Sequence, residues 1–232
     1  MIVSIMQPYF FPYIGYFQLI AQSDVFVFHD DVQYIRGGWV NRNRFLRDGQ
    51  VVWLTCPVQH SPHDWPINRR VYCVANGELS RLGRQLESAY RAAPHAANIM
   101  PLIRELLGYA DANVAAFNIN LVSRIARCIN AKTQFVLSSC IDKDNSLTGE
   151  ARVINICRRL GAKRYVNPIG GLGLYRRSSF DSAGIELAFL ESAVAPFAGQ
   201  GRYPLSIIHD LMHRTTDALS DRMRDYRLVW QT

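Results

Sequence analysis

An α/β fold with a mainly parallel sheet and a helical insertion in the middle of the chain is predicted, and three observations predict it. Short apolar runs at Ile2–Met6, Val25–His29, Gln134–Ser139, Arg164–Val166 and Ile185–Leu190 read as strands, several of them apolar enough to be buried on both faces. Stretches with helical spacing alternate with these runs, which is the pattern of a parallel sheet joined by right-handed crossovers. Between Glu78 and Asn130 the spacing becomes helical throughout. At 232 residues, one domain is expected, with residues 78–130 as a helical subdomain or insertion.

In order, Ile2–Met6 is followed by aromatic and aliphatic residues at helical spacing over Pro12–Gln22 and then by the second strand at Val25–His29. Asp30–Asn43 mixes acids, amides, aromatics and a Gly37-Gly38 pair without a clean period, which predicts a loop or a broken ribbon. Val51–Val58 reads as a strand that Pro62, Pro66 and polar residues separate from another at Arg69–Val74, so a hairpin with a long polar tip is expected. Helices are expected at Glu78–Ala92, at Ala96–Tyr109, interrupted near its start by Pro101, and at Asn113–Asn130. After the third apolar run the spacing gives helices at Ser146–Leu160 and Arg176–Ala183, and closing helices at Pro204–Arg214 and Thr216–Arg224.

Hydrophobic residues form 49% of the chain and charged ones 19%, so no long disordered tract is expected. The net charge of +7, from 26 Lys and Arg against 19 Asp and Glu, favours encounter with phosphate-bearing partners without identifying one. Arg far outnumbers Lys, which suits forked contacts to phosphate but follows more readily from codon usage. Cys56, Cys73, Cys128, Cys140 and Cys157 are odd in number and scattered, and are expected to be buried, reduced thiols. The short apolar run at the start has no basic lead, and no later window approaches eighteen apolar residues, so a cytoplasmic protein is expected. The six His and five Cys match no zinc-ligand spacing, and His209 and His213 lack the acidic partner of a zincin; no metal is expected.

Three constellations carry polar chemistry. Gln7-Pro8-Tyr9-Phe10-Phe11-Pro12-Tyr13-Ile14-Gly15-Tyr16 falls at the carboxyl end of the first strand and the start of a helix, where unpaired N–H groups could receive an anion. Phe10, Phe11 and Phe17 read as packing residues, while Gln7, Tyr13 and Tyr16 divide evenly between packing and binding. His29-Asp30-Asp31-Val32-Gln33-Tyr34 follows the second strand; its carboxylates could hold magnesium, accept protons from an amine or bind sugar hydroxyls. A strand-ending Asx turn explains Asp30 more readily than Asp31. Trp39-Val40-Asn41-Arg42-Asn43-Arg44 alternates amides, guanidiniums and an indole, which suits a sugar phosphate or a nucleotide as well as a solvated basic ribbon. Downstream, Asn167-Pro168-Ile169-Gly170-Gly171 and Tyr175 follow a predicted strand and could line the same cleft.

These three ordered motifs strongly resemble the WbqC-like family, with weaker echoes at Trp53–Pro57, Ser146–Gly161, Tyr165–Gly171, Phe180–Leu187 and Leu205–Met212. The family occurs among bacterial O-antigen and surface-polysaccharide genes, and a glycine-transferase role has been proposed for some members. The resemblance therefore implies an enzyme, a transferase placing a glycyl or similar acyl group on the amine of a nucleotide-linked amino sugar. The first strand, its loop and Tyr13-Ile14-Gly15-Tyr16 are also similar to the H-x-G-H region of nucleotidylyltransferase-type folds, which implies a Rossmann-like sheet. Both histidines of that motif are tyrosines here.

On this reading Asp31 is the expected general base, with Gln33 and His29 beside it. Gln7, Tyr13, Gly15 and Tyr16 are expected to hold the donor or its phosphate, and Trp39, Asn41, Arg42 and Asn43 the sugar nucleotide. Pro8, Tyr9, Asp30, Asn167, Gly170, Gly171 and Tyr175 are expected as further substrate-binding residues. ATP with Mg2+ is expected only if the acyl group is activated as an adenylate; the cofactor is otherwise open. No membrane partner is expected, and nucleic acid only in the form of an acyl-carrying tRNA. A homo-oligomer built on the middle helices stays open, as do nucleotidylyl transfer and a basic nucleotide- or nucleic-acid-binding module.

Overall fold

The structure is a computed structural model that describes residues 1–74, 77–194 and 204–231. The first strand, β1 (Ile2–Met6), leads through an irregular loop to α1 (Ile14–Ala21) and β2 (Val25–Phe28). A hairpin of β3 (Arg42–Arg47) and β4 (Gln50–Thr55) comes next, then the helices α2 (Glu78–Tyr90), α3 (Ala96–Leu107) and α4 (Val114–Cys128). The chain returns to the sheet with β5 (Gln134–Leu137), α5 (Gly149–Arg159), β6 (Arg164–Pro168), α6 (Arg177–Asp181) and β7 (Glu186–Ser192). It closes with α7 (Ile207–His213), α8 (Thr216–Arg222) and β8 (Tyr226–Val229).

The central sheet has the order β5-β2-β1-β6-β7-β8, parallel except for β8, which runs antiparallel to β7. This is the Rossmann-like α/β arrangement expected. From β1 the chain first builds outward through β2 to β5, then crosses back to β6 and builds the other way. The direction of winding therefore reverses between β1 and β6, and loops leaving those strands diverge to open a crevice at their carboxyl ends.

Alternation along the strands explains the layering. Phe26 and Phe28 of β2, with Ala188 and Leu190 of β7, join α1, α2–α4, α7 and α8 in one apolar cluster. Val25, Val27, Leu187 and Phe189 point the other way, against Val153, Ile156 and Cys157 of α5 and Phe180 of α6. Both faces are covered, which is why the strand sequences read as continuous apolar runs.

Several expectations needed correction. The segment Arg69–Val74 is not a strand: Ile67–Arg69 forms a 3-10 turn, and the buried Arg70 guanidinium donates to the carbonyls of Ser61, Pro62, His63 and Trp65, curling the chain. Only a Val58–Tyr72 bridge remains of the expected pairing. The hairpin forms instead between β3 and β4, around Asp48 (φ 52°) and Gly49 (φ 74°), the two left-handed residues that a tight primed turn requires. The edge strand β8 was not expected, and α3 runs through Pro101 without ending. Cys56 and Cys157 are buried, but Cys73 is half-buried and Cys128 and Cys140 are exposed, so the thiols are not uniformly core residues; all five are free.

The Gln7–Tyr13 loop is largely buried yet irregular, so side chains must complete its backbone hydrogen bonds. Asn118, a fully buried amide on α4, donates to Pro8 O (2.9 Å) and Val40 O (2.7 Å). Asn43 donates to the carbonyls of Phe10 (3.3 Å) and Phe11 (2.8 Å), the latter residue held at φ 43°. Replacing Asn118 by Leu preserves approximate volume but orphans the buried Pro8 carbonyl, while Val40 O keeps the Tyr72 hydroxyl at 3.0 Å, and should remove about 2 kcal/mol of stability. Urea denaturation with an unchanged m-value is the check.

Candidate functional site

A cleft of about 460 Å3 occupies the crevice at the winding reversal. Its floor is the end of β1 (Ile5, Met6, Gln7) and its sides are His29 after β2, Asn167–Gly171 after β6, and Leu190 and Ser192 of β7. Tyr9, Tyr13, Trp39 and Tyr175 supply aromatic walls, and among the described residues no Asp, Glu, Lys or Arg lines it. Gln7, Tyr9, Tyr13, Gly15, His29, Trp39, Asn167, Gly170, Gly171 and Tyr175, drawn from segments up to 168 residues apart, therefore meet in one place.

Two glycines shape the walls by what they lack. A Cβ on Gly15 would sit 2.6 Å from Tyr13 Cε2, so the bare backbone lets the Tyr13 ring lie across the start of α1. A Cβ on Gly171 would come within 1.9 Å of Asn167 Nδ2. Asn167 is fixed from the other side, its Oδ1 accepting from Tyr165 Oη at 3.0 Å, with Tyr175 Oη 3.4 Å from that hydroxyl. Burial raises the Tyr13 and Tyr175 hydroxyls and, with neighbouring Tyr13, pushes Tyr9 up to about 12, so all three stay protonated donors at neutral pH.

His29 enters the cleft because its N–H continues the β1–β2 ladder to Met6 O at 2.8 Å, which sets its ring beside Gln7. Its Nε2 is buried without a hydrogen-bond partner. Burial lowers its pKa to about 4; Asp31 and Asp30 pull upward, Arg152 and Lys143 downward, and burial prevails. The ring is neutral at pH 7, with a buried polar atom awaiting a partner.

The remaining expected site residues lie outside the cleft. Asp31 Oδ2 is 2.7 Å from both Lys143 Nζ and Arg152 Nη2, and the Lys143 side chain is almost fully buried. Burial alone would raise this carboxyl, but the Lys143 hydrogen bond and the two cations outweigh it and hold it below its usual value. A carboxylate so held is a poor proton acceptor, which weighs against Asp31 as the base: its two ion pairs anchor the loop after β2. Asp30 is a buried clamp, accepting from Ser139 N (3.0 Å), Ser139 Oγ (2.6 Å) and Asn68 Nδ2 (3.2 Å). Gln33 is exposed and bonds to His63. Pro8 and Tyr16 are buried, Tyr16 Oη donating to Gln7 O at 2.8 Å, so they shape the Gln7 loop. Asn43 is spoken for by Phe10 and Phe11, and Asn41 Nδ2 donates to Cys56 O at 2.9 Å. Arg42 reaches the Gly37 and Gly38 carbonyls with its guanidinium 4.3 Å over Trp53, whose ring is 5.7 Å from that of Trp39.

Ser192, Lys143, Arg152 and Asn118 escaped sequence reasoning. Only Asn118, an amide among apolar residues on one helix face, gave a readable signal. Among the described residues no group of three or more His, Cys, Asp and Glu could hold a metal, and no helix is long and apolar enough to cross a membrane.

Comparison with known proteins agrees with this placement. The model of the WbqC-like protein family matches residues 7–221, so the chain belongs to that family. The uncharacterized protein Rv1507c of Mycobacterium tuberculosis is 28% identical over 190 residues, covering 82% of this chain and 81% of that protein. No solved structure matches.

Two measurements test the electrostatics. The His29 ring protons should titrate by NMR with a midpoint near 4. Because the unfolded ring titrates near 6.5 and the folded one lower, the unfolded chain binds more protons between these values. Stability is therefore full above about pH 6.5 and falls as the pH drops towards 4, with His209, also lowered to about 4, adding to the slope. Asp31→Asn should lower stability by about 3 kcal/mol, since it leaves two buried cations without their carboxylate. An unchanged denaturation midpoint would contradict the anchoring role.

Proposed function

Starting from membership of the WbqC-like family, we propose that this chain transfers a glycyl or similar acyl group to the amine of a nucleotide-linked amino sugar. The observation that carries the reading is His29: a neutral imidazole, its Nε2 buried without a hydrogen-bond partner, on the wall of a cleft of aromatic and amide side chains. Aromatic faces suit a sugar ring, Gln7, Asn167 and Ser192 offer hydrogen bonds to its hydroxyls, and the amine meets His29. The amine lone pair attacks the acyl carbon, the C–N bond forms, and the bond to the leaving group breaks. One amine proton passes to His29 Nε2, and the nearby Asp31 carboxylate favours the imidazolium as it forms.

Among the described residues no cation lines the cleft, and the nucleotide of the acceptor would extend past Trp39 towards Arg42 on its Trp53 support. Nucleotidylyl transfer finds less support, because of the two tyrosines at the H-x-G-H positions only Tyr13 lines the cleft. An acceptor bound only by the folded chain raises its melting temperature, so UDP- and dTDP-amino sugars should each be tried. With the stabilising sugar nucleotide and an acyl donor, His29→Ala should lower kcat by roughly a hundredfold with little change in KM. Trp39→Ala should instead raise KM. Full turnover by His29→Ala would remove the proton-transfer assignment.

A further inference from the structure

The loop whose Trp39 faces the cleft turns Tyr34, Arg36 and Asn41 into a second hollow of about 260 Å3, completed by Gln59, His60 and Arg70. Among the described residues no carboxylate lines it. Arg70 is 3% exposed, and its guanidinium lies 5.1 Å over the Tyr34 ring and donates only to backbone carbonyls. Dipoles orient this charge but do not neutralise it, so a buried positive charge stands beside an open, acid-free pocket. The Tyr34 hydroxyl and the side chains of Arg36, Gln59 and His60 have no hydrogen-bond partner among the described residues.

The surroundings add to this field. From Tyr34 to Val74 there are six arginines against two aspartates, a surplus of four out of a net +7 for the whole chain. Arg36, Arg42, Arg47, Arg69 and Arg70 enter no ion pair among the described residues, whereas twelve arginines elsewhere do. Leaving these five cations without an ion pair while most others are matched points to an anionic ligand that supplies the missing charge.

We propose that this hollow is a phosphate-ester site, separate from the cleft. Arg36 supplies a forked donor to two phosphate oxygens; the Tyr34 hydroxyl, the Gln59 amide and the His60 ring donate to the rest, with Arg70 holding the potential from below. The phosphate comes from a mononucleotide or from the backbone of a single-stranded RNA. The site does not rest on the acyl-transfer reading.

The test is calorimetric titration of the full chain with uridine, uridine monophosphate and dodecauridylate at about 50 and about 200 mM salt. Uridine should not bind, and at least one phosphate-bearing probe should bind saturably. Arg36→Ala, at an exposed position with little part in folding, should weaken that binding by roughly tenfold or more, and His29→Ala should leave it unchanged. Tight monophosphate binding identifies a nucleotide site; oligomer binding that falls steeply with salt identifies an RNA site. Binding of no phosphate-bearing probe, or binding that survives Arg36→Ala, overturns the proposal.

Discussion

The cleft depends on keeping an irregular, buried loop fully hydrogen-bonded. Between β1 and α1 the chain passes through the core as Gln7-Pro8-Tyr9-Phe10-Phe11-Pro12 rather than as regular structure, and its carbonyls have no ladder to join. Asn118 from the helical segment and Asn43 from the hairpin satisfy Pro8, Phe10 and Phe11, while Phe10 N donates to Trp39 O at 3.0 Å. A buried carbonyl without a donor costs about 1–3 kcal/mol, so these contacts decide whether the loop can exist where it does. They also lock the hairpin and α4 to the carboxyl end of β1, which places Trp39 over the cleft.

The parallel strands were legible because burial on both faces demands apolar runs that polar neighbours cannot mimic. The crevice was legible for the same reason: once Ile2–Met6, Val25–His29 and Arg164–Val166 are parallel strands, Gln7, His29 and Asn167 are at their carboxyl ends. What was not legible depends on partners remote in sequence. Asp31 looked like a reactive acid because its cations, Lys143 and Arg152, lie more than a hundred residues away. The strand β3 was hidden because Arg42, Asn43 and Arg44 are all polar. Only tertiary contacts show that Asn43 and Phe45 face inward while the arginines do not. The Asp48-Gly49 pair could have found the hairpin without a structure.

The loop after β2 carries three titratable side chains in a row, and their environments assign them different work. Asp30 accepts three hydrogen bonds and closes the gap to the segment after β5. Asp31 faces two cations and stays ionised. His29 alone turns into the cleft, and there burial outweighs the pull of both carboxylates. If Asp31 were the base, its loss of charge on protonation would strand Lys143 and Arg152 at the moment of reaction. Protonation of His29 instead leaves Asp31 ionised, and the two carboxylates offset part of the burial cost of the imidazolium. Proton transfer to His29 therefore leaves the ion pairs below the cleft intact, and transfer to Asp31 would dismantle them.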